Sequence, residues 1–214
     1  MTDADWHIHD DRQAFVTAAS ADVEAIVRDA LATRDRAVLA LPGGGTPVPI
    51  IEALTGADLD WRAVTILPGD DRCVPPGHDL SNLGMLQSAF QATGAHVLPL
   101  DIGQSSLPPF DLVWLGIGVD GHTASIFPGP DYETALTTAA PILPVTPDPL
   151  PPEAPVSRIT LSRTAIRAAQ HVLVTITGAD KRAVLERALR EGEASGYPVG
   201  PILSGLTVRI HWSP

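Results

Sequence analysis

The sequence predicts an α/β protein with a doubly wound, mainly parallel sheet and helices on both faces. Three observations predict it. Short, continuous apolar runs recur along the chain, as strands buried on both faces require. Segments with apolar residues at helical spacing alternate with those runs. Glycine-bearing turns follow several of the runs, at the carboxyl ends where open α/β sheets take their ligands.

Each element follows from its residues. Residues 10–34 read as a helix, with Phe15, Ala19, Val23, Ile26, Val27, Ala30 and Leu31 at helical spacing. Ala37 to Leu41 is a buried strand, and Val48 to Leu54 an apolar segment of helical length. Residues 63–67 form the next strand, followed by a polar loop from Pro68 to Leu80. Ser81 and Asn82 can cap a helix that runs to about Phe90. Further strands are expected at 96–98, 111–116, 158–161, 172–176 and 207–212, with helices at 163–170 and 179–191. Seven prolines lie between Ala140 and Arg158, so that stretch reads as an extended surface connection.

The 214 residues suit one domain spanning 1–214, and no internal repeat is visible. Hydrophobic content of 44% supplies ample core. The net charge is −11, which argues against general binding to nucleic acid or anionic lipid. It also means that local cations must overcome the global field if the ligand is an anion. Cys73 is alone, so no internal disulfide or cysteine zinc site can form, and a packed, inert thiol in a reducing compartment is expected. The acidic start has no signal-peptide pattern and no long apolar run follows, so the expected location is the cytoplasm. A monomer or small homo-oligomer is expected.

Three loops carry the chemistry. Gly43, Gly44 and Gly45, with Thr46 and Pro47, join a strand to a helix. Such glycines expose N–H groups, and the helix start adds its positive dipole end. The loop fits a phosphate, and equally a plain turn that needs glycine for its dihedrals; it is neither a Walker loop nor a dinucleotide fingerprint. Asp70, Asp71 and Arg72 follow the next strand and suit sugar hydroxyls, a reacting water or an anion, although such a triplet alone is more simply a solvated turn. Residues 116–129, GIGVDGHTASIFPG, are the most informative. His122 lies among glycines there, with Asp120 two residues back, and an imidazole can accept a proton near neutral pH. The other six histidines lack such support. His7 and His9 form an HxH pair, but no partner ligands accompany it in the sequence, so no metal site is expected. Lys181, the only lysine, falls in the first turn of a helix, where a cation is misplaced unless an anion lies there.

In this order, the loops resemble those of the 6-phosphogluconolactonase family. That family's pattern is a GG-[ST] loop, DERxVP followed by SN, and GxGxDGHTASLFPG. The chain has PGGGTP at 42–47, DDRCVP at 70–75 with Ser81 and Asn82, and the histidine motif at 116–129. An RxT strand at Arg158 and a GxxK turn ending at Lys181 agree as well, so the resemblance runs from about residue 35 to 190. Two departures stand out: Gly45 replaces the usual serine, and Asp71 the usual glutamate.

The resemblance implies the fold shared with ribose-5-phosphate isomerase and glucosamine-6-phosphate deaminase. It implies hydrolysis of 6-phospho-D-glucono-1,5-lactone, a step of the oxidative pentose phosphate pathway. His122 would be the general base, supported by Asp120, Asp70 and Arg72. Gly43, Gly44, Gly45, Thr46, Asp71, Ser81, Asn82, Arg158 and Lys181 would contact the substrate or its phosphate. No metal or cofactor is implied, because a lactone is already an activated ester. Two alternatives remain. A deaminase or isomerase of the same fold is disfavoured, because no carboxylate lies between His122 and Pro130. A non-catalytic sugar-phosphate sensor would need the glycine loop and Lys181 but not His122.

Overall fold

The structure, a computed structural model, describes residues 2–214. The strands are β1 (Asp3–Ile8), β2 (Ala37–Leu41), β3 (Val64–Pro68), β4 (Asp70–Arg72), β5 (His96–Val97), β6 (Leu112–Leu115), β7 (Ile142–Val145), β8 (Arg158–Leu161), β9 (His171–Thr177) and β10 (Thr207–Ser213). The helices are α1 (Arg12–Arg34), α2 (Val48–Thr55), α3 (Asn82–Phe90), α4 (Tyr132–Thr137), α5 (Arg163–Arg167), α6 (Ala179–Glu191) and α7 (Val199–Leu203).

Seven strands form one sheet in the order β1-β10-β9-β6-β2-β3-β5, and every neighbouring pair is parallel. Strand alternation divides the apolar residues between two layers. Val38 and Ala40 of β2, with Val113 and Leu115 of β6, face the layer holding α5, α6 and α7. Ala37, Leu39, Leu41, Leu112 and Trp114 face the layer of α1, α2 and α3. The sheet is therefore buried on both sides, which explains its continuous apolar strands. From β2 the chain winds outward through β3 to β5. It then returns to β6, beside β2, and winds the other way through β9 and β10. The topological switch point thus lies between β2 and β6, where such sheets open a crevice.

A second, antiparallel sheet, β4-β8-β7, sits over that region. Its strands replace two sequence expectations. The polar loop at 68–80 contains β4, whose three polar residues leave no apolar alternation to read. The proline-rich connection contains β7; Pro144 is exposed, and β7 is an edge strand, where proline removes no ladder bond. The remaining elements missing from the sequence reading are β1, α4 and α7. β1 is an edge strand with half its residues exposed, and both helices are under two turns long.

α1 begins at Asp11, whose side chain accepts from the Ala14 amide, and buries Phe15, Ala19, Val23, Val27 and Ala30 along one stripe. At the β1–β10 edge that apolar layer gives way to imidazoles. His211 is fully buried, and desolvation pushes its pKa down to about 4, so the ring is neutral. Among the described residues, no helix is long and apolar enough to cross a membrane.

Candidate active site

A cleft opens beyond the carboxyl ends of β2 and β6, at the switch point. Its walls include Gly43 to Thr46, Asp70, Arg72, Asn82, His122, Arg158 and Lys181. Residues more than a hundred positions apart in sequence therefore share one concave surface.

The glycine loop forms one wall. Gly44 has φ +94°, a left-handed conformation that favours glycine. A Cβ on Gly43 would fall 1.9 Å from Asn82 Oδ1, so the absence of a side chain lets Asn82 approach. Gly45 is different: a Cβ there meets open space. Among the described residues, no carbonyl or side chain takes the amide hydrogens of Gly44, Gly45 or Thr46. Pro47 is the N-cap of α2, no side chain caps that helix among the described residues, and Thr46 lines the cleft.

Arg72 and Arg158 form the cationic floor. They are register partners across β4 and β8. Arg72 donates from Nη1 to Leu80 O and Asn82 Oδ1, each at 3.0 Å. Arg158 is 3% exposed and donates to Ala154 O at 3.3 Å. Burial and the neighbouring Arg72 charge push the Arg158 pKa below the ordinary guanidinium range. The Nε atoms of both arginines are buried with no partner among the described residues. Two adjacent guanidiniums with unused donors are unfavourable for the empty protein and favourable for an anion. Lys181 joins them from the first turn of α6 and pairs with no carboxylate among the described residues. These cations answer the acidic global field.

Asp70, 7% exposed, accepts from Ser125 Oγ and, through its backbone oxygen, from Asn82 Nδ2 at 2.8 Å. It ties the histidine loop to the second loop. The structure separates Asp71 and Ser81 from the cleft. The Asp71 carboxylate accepts from the amides of Arg72 (2.8 Å), Asn82 (2.6 Å) and Leu83 (3.1 Å), and from Ser81 Oγ (3.2 Å). Ser81 Oγ accepts from the Gly84 amide. Both residues cap α3, where an anion meets the positive end of the dipole. Cys73, expected to be packed, is exposed.

His122 sits on a pinned loop. Gly118 N donates to His122 O at 3.0 Å, Thr123 Oγ1 to Gly116 O at 2.8 Å, and Ser125 N to Thr160 Oγ1 at 3.1 Å. Ala124 is held at φ 48°, a strained conformation for a non-glycine residue. The Asp120 carboxylate lies 2.6 Å from His122 Nδ1. Burial works to raise the Asp120 pKa, but the hydrogen bond and charge of His122 outweigh it and hold the carboxyl below its ordinary value. With Nδ1–H donated to Asp120, the Nε2 lone pair remains free as a base. A Cβ on Gly118 would lie 2.2 Å from His122 Nδ1, so glycine is needed beneath the pair.

Sequence reasoning missed two pairings. Phe127 stacks on His122, and the Arg158 guanidinium lies 5.0 Å from the Phe127 ring centroid. Trp114 and Thr175 line the cleft and are joined by a 2.9 Å hydrogen bond between β6 and β9. Neither pairing has a local sequence signal.

A doubly wound sheet with a cationic, glycine-framed crevice at its switch point defines a class of α/β proteins that take small anionic ligands. The chain belongs to the glucosamine-6-phosphate isomerases/6-phosphogluconolactonase family, whose sequence profile matches residues 10–106 and 92–212. It is 32% identical to the 6-phosphogluconolactonase of Pseudomonas putida over 95% of this chain and 90% of that protein. It superposes on a 6-phosphogluconolactonase from Shewanella baltica with a TM-score of 0.89 at 28% identity, covering 99% of this chain and 98% of that one. A monomeric glucosamine-6-phosphate deaminase shares the fold at 18% identity, with a TM-score of 0.77 over 98% of this chain and 97% of that one. The expected fold and family are those found.

Proposed function

We propose that the chain hydrolyses 6-phospho-D-glucono-1,5-lactone to 6-phosphogluconate. One observation carries the reading: a carboxylate-supported imidazole opens into the same cleft as the buried Arg158, the half-buried Arg72 and a lysine with no carboxylate partner among the described residues. Its relatives named 6-phosphogluconolactonase support the substrate.

In this reading Gly44, Gly45, Thr46, Arg158 and Lys181 hold the phosphate, with Gly43 opening the loop. His122 Nε2 takes a proton from water as the water oxygen bonds to C1. The C1–ring oxygen bond then breaks, and the same proton passes to the departing ring oxygen. Asp120 fixes the tautomer and steadies the imidazolium. Arg72, held by Asn82, meets the developing oxyanion or a sugar hydroxyl, and Asp70 sets the position of Ser125 and Asn82. The work belongs in a reducing cytoplasm, which an exposed single thiol fits.

The test is proton release from freshly made lactone, corrected for spontaneous hydrolysis. His122→Ala should lower turnover at least about a hundredfold while phosphogluconate still binds. Unchanged turnover removes His122 from the mechanism, and ammonia release from glucosamine 6-phosphate would replace the whole reading with deamination.

A further inference from the structure

The edge of the sheet opposite β5 carries a second concentration of chemistry-bearing side chains. His7 on β1 and His211 on β10 are register partners with stacked rings, centroids 4.8 Å apart. α1 brings Asp22 to the same place, its Oδ2 lying 2.8 Å from His211 Nε2. One ligand atom from each of His7, Asp22 and His211 lies within 4.8 Å of the others. His9 stacks on the other side of the group and places Nε2 2.9 Å from His211 Nδ1. The partner ligands that the HxH pair lacks in sequence are supplied by the fold.

We propose that His7, Asp22 and His211 bind a divalent transition-metal cation of the zinc class. The chemistry of the donors selects the ion. Two imidazole nitrogens and one carboxylate oxygen suit zinc and its neighbours, whereas magnesium and calcium favour oxygen alone. Zinc bonds of about 2.0–2.2 Å put tetrahedral ligand atoms about 3.3 Å apart. His211 Nε2 and Asp22 Oδ2 must open slightly to reach that spacing, and the half-exposed His7 must close. Ion binding takes the Nε2 proton from its place beside Asp22; in the bound form His211 donates Nδ1–H to His9 Nε2, 2.9 Å away, and turns its Nε2 lone pair to the ion, as second partners of ligating histidines commonly do.

Two charged groups complete the surroundings. Arg209 Nη1 lies 3.2 Å from Asp22 Oδ2, and Arg209 Nε 3.4 Å from Asp5 Oδ2. Asp5 also bonds His7 Nε2 at 3.0 Å. Cation binding therefore moves Arg209 off Asp22 and onto Asp5, and releases His7 from Asp5. The bound ion clamps edge strand β1 to α1 and β10. The proposal does not rest on the lactonase reading.

The experiment uses the full chain, stripped with chelator and titrated with Co2+. The expected result is a saturable visible absorption of one tetrahedral Co2+ per chain, displaced by Zn2+, with a Zn2+-dependent rise in Tm. His7→Ala, at a half-exposed edge position, and Asp22→Asn should each weaken binding at least about tenfold. Cys73→Ser and His122→Ala should leave the titration unchanged. Absence of the Co2+ spectrum overturns the proposal. So does a spectrum unaffected by His7→Ala, or one lost with Cys73→Ser or His122→Ala.

Discussion

The imidazole of His122 lies flat against the ring of Phe127, with centroids 4.0 Å apart and an interplanar angle of 22°. The stack fixes the ring plane, while Asp120 fixes which nitrogen faces the cleft. An aromatic pair of this kind contributes about 0.5–1.5 kcal/mol. Phe127→Leu keeps the site apolar but frees the imidazole to swing. Its kcat on the lactone should fall about tenfold with KM nearly unchanged. A variant that loses only thermal stability would show that the stack serves packing alone.

The Asp120 carboxyl titrates below its ordinary 3.8. A depressed acid contributes stability that is fully present above its unfolded pKa and lost as pH falls through the folded one. Asp120→Asn removes that contribution and also the anionic partner of His122. The Tm gap between wild type and variant should stay constant above about pH 5 and close as pH falls below the ordinary aspartate value. An undiminished gap at about pH 2.5 would show that the variant acts by some route other than lost charge. Turnover should fall at least about tenfold, because the tautomer is no longer enforced.

Asp71 accepts four hydrogen bonds, three of them from Ser81, Asn82 and Leu83 at the start of α3. Asp71→Asn weakens them and removes a favourable dipole interaction, a loss of about 2 kcal/mol. Thermal melts should show Tm lowered by about 5 °C, while KM for the lactone changes little. A raised KM at unchanged Tm would return Asp71 to the substrate.

A Cβ on Gly45 would meet nothing within 4 Å. Gly45→Ser should fold normally and place a hydroxyl beside the phosphate loop. One added hydrogen bond of about 1 kcal/mol lowers KM about fivefold. Gly44→Ser is the contrasting case: its φ of +94° strains any side chain, so that variant should lose stability. Steady-state kinetics of the first variant and melts of both decide the matter. An unchanged KM in Gly45→Ser would place the phosphate away from this loop.

The sequence by itself determined the sheet and its ligand-binding loops. Buried parallel strands must be apolar throughout, and β2, β3, β6 and β9 are legible for that reason. The PGGGTP loop and the GIGVDGHTASIFPG stretch are equally legible, because close approach and pinned turns require glycine at fixed spacing. What depends on contacts between distant segments was decided only by the tertiary structure. It pairs Arg72 with Arg158 across β4 and β8, lays Phe127 on His122, turns Asp71 and Ser81 inward to cap α3, and gathers His7, Asp22 and His211 at one edge. A three-residue strand of polar side chains such as β4, and a half-exposed edge such as β1, carry no apolar periodicity to read. A side chain's direction at such positions is fixed by its partner across the fold, and local sequence does not name that partner.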